Sequence, residues 1–188
     1  MALDPLLAPD DVTELARRAL GHLRQGSEAC IPGPLVACAG EPLWLALPHP
    51  VFELAPDREV LTLDAGRMTA WRYLVMSRNA VVATLEMAVP GNGQQPRLAY
   101  MADGPAAAST VRAIGRAERS QALRARRYVL GLLRIPSPQL EAVWLRDGAA
   151  DGRHDRFWIA GTPHGPRAER LLDAAQLRKA AGASKRAG

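Results

Sequence analysis

MTAWRYLVMSRNAVVATLEMAV, residues 68–89, holds two apolar runs on either side of an Arg78–Asn79 pair. Trp71, Tyr73 and Val75 alternate with Arg72, Leu74 and Met76, while Val81, Ala83, Leu85, Met87 and Val89 alternate with smaller or polar residues. A period of two marks a strand, because successive side chains leave opposite faces of the pleat. Two such runs joined by two residues predict a hairpin. Its continuation through PGNGQQP (90–96) into RLAYMAD (97–103) predicts a three-stranded antiparallel meander. Upstream, LVACA (35–39), LWLAL (43–47), VFEL (51–54) and EVLTLD (59–64) supply further strand candidates, with neighbouring prolines that suit sheet edges.

Working outward, the period changes to that of a helix. Val12, Leu15, Ala16, Ala19, Leu20 and Leu23 recur at helical spacing over residues 10–25, with Asp10 as N-cap and Gly26 just past the end. On the other side of the meander, a wheel at 100° per residue predicts one long helix from about Ala106 to Leu133. It gathers Val111, Ile114, Ala117, Ala122, Ala125, Tyr128, Val129, Leu132 and Leu133 on one side and Arg112, Arg116, Arg119, Arg126 and Arg127 on the other. Leu123 and Leu130 project onto the arginine side. The prolines of IPSP (135–138) end it. QLEAVWLR (139–146) and RFWIAG (156–161) then read as a returning hairpin across the polar loop DGAADGRHD, and PRAERLLDAAQLRKA (166–180) as a last helix. The expectation is an α+β fold: a single domain over residues 1–165 with an antiparallel sheet, an N-terminal helix and a long central helix, then a C-terminal helix and basic tail over 166–188.

At 188 residues, 48% hydrophobic and 23% charged, the chain has the composition of a packed globule rather than a disordered segment. Its only lysines are Lys179 and Lys185, so nothing earlier can act as a Schiff-base or phosphate-loop lysine. The acidic start MALDPLLAPDDVTEL lacks the basic region of a secretory leader, and the most apolar region, residues 34–54, is broken by Glu41, Pro42, Pro48 and Pro50. No membrane span and a cytoplasmic location are expected, with Cys30 and Cys38 as thiols. Charge is segregated. Residues 1–104 carry 8 Lys+Arg against 12 Asp+Glu, a net −4, and residues 105–188 carry 16 against 7, a net +9, consistent with the overall +5.

Chemistry-bearing residues are scattered. Asp147, Asp151, His154 and Asp155 crowd one loop, but their spacing does not match the alternate oxygens of a calcium loop, so a solvated turn is expected. Cys30 and Cys38 lie too far apart for a zinc pair, and His22, His49, His154 and His164 are dispersed, so neither metal nor cofactor is expected. Trp44, Trp71, Trp144 and Trp158 all fall in strand-like runs and read as core or half-buried sheet residues. What stands out is the stretch RAIGRAERSQALRARR (112–127), with six arginines and Glu118 as its only acid. Arg112, Arg116, Arg119, Leu123, Arg126, Arg127 and Leu130 are read as a partner-binding face. Apolar anchors among arginines suit a protein interface more than a phosphate groove. The expected function is non-catalytic: a binding, adaptor or assembly protein with an acidic protein partner or a second copy of itself. Nucleic-acid binding is the alternative, and an enzyme using His154, Asp155 or Cys30 a further one.

Overall fold

A computed structural model describes residues 3–4, 6–25, 41–46, 48–54, 66–91, 94–123, 126–136, 140–147, 152–161 and 171–185. In chain order the elements are β1 (Leu3–Asp4), α1 (Asp10–Gln25), β2 (Leu43–Leu45), β3 (His49–Glu53), β4 (Arg67–Ser77), β5 (Ala80–Ala88), β6 (Arg97–Asp103) and α2 (Gly104–Arg119). A 3-10 turn (Gln121–Leu123), β7 (Tyr128–Ile135), β8 (Leu140–Arg146), β9 (Arg156–Gly161) and α3 (Ala174–Lys185) complete the order. This is a mixed α+β chain. It groups into two compact units, one of residues 1–6, 51–68 and 109–188 and the other of residues 7–50 and 69–108. The strand candidates LVACA and EVLTLD, both cysteines and His164 lie outside the described residues.

In the unit of residues 7–50 and 69–108, the meander forms as its alternation predicts. β4 pairs antiparallel with β5, and β5 with β6. The Arg78–Asn79 turn holds Arg78 at φ 52°, a left-handed conformation uncommon outside glycine, and Arg78 is paired there with the carboxylate of Glu41. α1 spans the predicted residues and packs on β5 and β6. Its Val12, Ala16 and Leu20 are buried, as are Tyr73, Val75, Ala83, Leu85 and Met87 on one face of the meander.

In the other unit, β7, β8 and β9 form an antiparallel run, and β7 also pairs in parallel with Val51–Glu53 of β3 and with β1. The sheet is therefore mixed, a correction to the purely antiparallel expectation. Trp144, Phe52, Leu133, Ala142, Phe157 and Ile159 bury one face together with Leu177 and Ala181 of α3. That face is built on ring contacts, with Phe52 meeting Trp144 edge-on at 5.2 Å and Phe157 stacked on it at 6.1 Å.

The long central helix does not exist. α2 stops at Arg119, and YVLGLL (128–133), read as the last turns of the long helix, belongs to the strand β7. β7 has partners on both edges and is buried along most of its length, so it reads as a nearly unbroken apolar run with no period of two. Such a run fits a buried helix as well as a buried strand. The β-branched Val129 and Ile135 favour the strand. The last helix is shorter as well, beginning at Ala174, where Asp173 Oδ1 accepts from the Gln176 amide as an N-cap. Residues 166–170 of the predicted helix lie outside the described residues.

Candidate functional site

The arginine segment is carried by three pieces of backbone. Arg112 and Arg119 are exposed on α2 and Arg116 is half-buried there, whereas Arg126 and Arg127 are exposed in the link between the 3-10 turn and β7. Arg112 donates to Ser109 Oγ at 2.9 Å, one turn back. Arg119 folds back along its own helix over Gly115, where a Cβ would come within 3.2 Å of its guanidinium. Arg126 reaches the Asp147 carboxylate at 3.6 Å.

The two leucines placed among the arginines are not part of that surface. Leu123 is 1% exposed and Leu130 6% exposed. The reason is the break after Arg119. Amide-to-carbonyl bonds from Ser120 to Ala117, Leu123 to Ser120 and Arg126 to Leu123 wind the chain tightly, so the helical phase that set both leucines beside the arginines is lost. Leu130 instead alternates on β7, opposite Leu145 and in line with Leu132–Val143 and Arg134–Glu141. Thr110 of α2 donates to Glu141 at 3.2 Å, so α2 lies over that face and Leu130 belongs to the interior. The arginines remain a surface, but one without an apolar centre.

The acidic loop of the returning hairpin is likewise not a solvated turn at Asp155, which is 4% exposed. Its carboxylate accepts from Trp144 Nε1 at 2.7 Å and from the Asp147 amide at 3.2 Å. Burial pushes the Asp155 carboxyl above its ordinary range, against the pull of those two donors. Arg146 lies 4.7 Å over the Trp144 ring and 5.1 Å over Phe52. Asp155 thus anchors the hairpin. His154 takes part through its backbone carbonyl, toward which Tyr128 points its hydroxyl at 3.5 Å, and Asp151 lies outside the described residues.

Sequence reasoning missed one charged pair. In the meander unit, Arg72 and Glu86 are buried and meet at 2.8 Å, with a second contact from Arg72 Nε at 3.2 Å. A regular two-residue hairpin with Ser77 opposite Ala80 sets Arg72 opposite Leu85. A register shift at Val75/Met76 inserts one residue and brings Glu86 opposite instead. The bulge has no signature in the alternation, so the pair was not legible. His49 lies in the same unit, and burial, helped by the positive charge of Arg72, lowers its imidazole to about 4.

Among the described residues no cluster of three or more His, Cys, Asp or Glu side chains has metal-binding geometry, and no helix is long and apolar enough to cross a membrane. No family model matches the sequence, and no curated protein or solved structure matches it.

Proposed function

We propose that the chain is a non-catalytic binding protein whose arginine segment, Arg112 to Arg127, receives an acidic surface of a protein partner, in a cytoplasmic setting. The observation that carries this reading is the exposure of Arg112, Arg119, Arg126 and Arg127 within one segment whose only acid is Glu118. Arginine suits such a role because its planar fork donates in pairs to carboxylates and is never neutral. With Leu123 and Leu130 in the interior, the contact is polar. It accelerates encounter and selects by charge more than it holds by burial, which describes a salt-sensitive, exchangeable partner. The net −4 of residues 1–104 supports a compact acidic protein surface over an extended polyanion such as nucleic acid.

The test is a comparison of two ligands of equal charge number, an oligoglutamate peptide and a short mixed-sequence DNA duplex, against the native chain and an Arg112→Glu/Arg119→Glu variant. Peptide binding that the variant loses by about tenfold or more is expected, as for the removal of two charge-assisted contacts. Tighter binding of the duplex, lost in the same variant, would replace the acidic-protein reading with the nucleic-acid one. Equal binding by native and variant chains would remove the arginine segment from the function.

A further inference from the structure

A second feature lies in the unit of residues 7–50 and 69–108, where α1, β2 and β4 border an open cleft of about 490 Å3. That is within the range of roughly 300–1,000 Å3 usual for small-molecule pockets. Leu20, Leu43 and Leu45 give it apolar walls, and its polar groups are Thr13, Arg17 and Tyr73. The hydroxyls of Thr13 and Tyr73 meet at 3.0 Å, and Tyr73 is 1% exposed. Two hydroxyls carry two protons, and the bond between them uses one. The other proton can be donated to whatever enters. Arg17 stands close enough for its positive charge to act on the Tyr73 phenol, against the burial that raises it. One cation and one spare O–H proton beside apolar walls form a receptor for one singly charged, two-oxygen head group on an apolar body.

We propose that this cleft binds a small organic carboxylate, with the carboxylate against Arg17 and the Thr13–Tyr73 hydroxyl pair and the apolar body along Leu20, Leu43 and Leu45. A doubly charged phosphate fits less well. Glu14 lies 3.7 Å from Arg17 and already takes up part of its charge, and the negative field of Asp11 also reaches the Tyr73 hydroxyl. Trp44 lines the same cleft at 43% exposure, whereas Trp71, Trp144 and Trp158 are buried, so an occupant changes the surroundings of one accessible indole.

The experiment is calorimetric titration of the full chain with octanoate and, separately, with octan-1-ol, which shares the body but not the charge. Saturable octanoate binding, roughly tenfold or more tighter than octanol binding, is the expected result, in line with a charge-assisted hydrogen bond. Arg17→Gln, a change at an exposed position, should cut octanoate affinity by about the same factor and leave octanol unchanged. Trp44 emission should shift with octanoate in the native chain, and Trp44→Phe should lose that shift while keeping the heat. Absence of saturable heat with octanoate at millimolar concentration overturns the site. Equal affinity for acid and alcohol, or an Arg17→Gln chain that binds octanoate unchanged, overturns the carboxylate assignment.

Discussion

Two single residues set opposite pH dependences. Asp155 is an acid raised by burial, so the folded state holds its proton more tightly than the unfolded chain does. Its contribution is fully present below the unfolded carboxylate range and is lost as pH rises through its raised folded value. His49 is a base lowered to about 4, so its contribution is present above the unfolded value near 6.5 and is lost as pH falls toward 4, a change of about 3 kcal/mol for a shift of that size. Thermal unfolding between pH 4 and 7 separates them. The melting temperature of Asp155→Asn relative to the native chain should climb as pH rises, because the variant lacks a penalty that the native chain acquires. That of His49→Gln should climb as pH falls. A flat difference in either case would show that the group is equally solvated in the folded and unfolded states.

At the scale of elements, the meander contains a buried cross-strand ion pair, and burying charge is a poor source of net stability. Arg72→Met alone removes the guanidinium that Glu86 meets inside the sheet and should cost about 3–5 kcal/mol in denaturant unfolding, whereas Arg72→Met/Glu86→Leu should recover most of that loss. A double variant no more stable than the single would mean that the pair is needed for the strand register itself. Alternation made β4, β5, β6 and the β8–β9 hairpin legible, and apolar spacing gave α1 from Asp10 to Gln25. β7 was illegible for the opposite reason: a strand paired on both edges and covered on both faces has no polar side to reveal its period. The same misreading carried Leu123 and Leu130 out onto the arginine face, while the arginines themselves stayed exposed or half-buried because no burial can accommodate so many charges. Leu123→Asp should therefore unfold the chain or lower its melting temperature sharply, since it puts a carboxylate into the interior. A variant that melts like the native protein would return Leu123 to the surface.

For the molecule as a whole, the relevant quantity is where its charge sits. A net charge of +5 is modest, but residues 105–188 hold +9 of it against −4 in the remainder, and the exposed arginines of α2 and the following link are its most concentrated part. A partner attracted by that field is captured through long-range electrostatics, so its affinity must fall as salt shortens the screening length from about 10 Å at 0.1 M to about 3 Å at 1 M. The most direct measurement is the oligoglutamate affinity of the native chain and of Arg112→Glu/Arg119→Glu over a salt series. The native chain should bind with an affinity that falls steadily as salt rises, and the variant should give a weaker and flatter line. Native and variant lines that coincide would contradict the assignment of binding to the arginine segment.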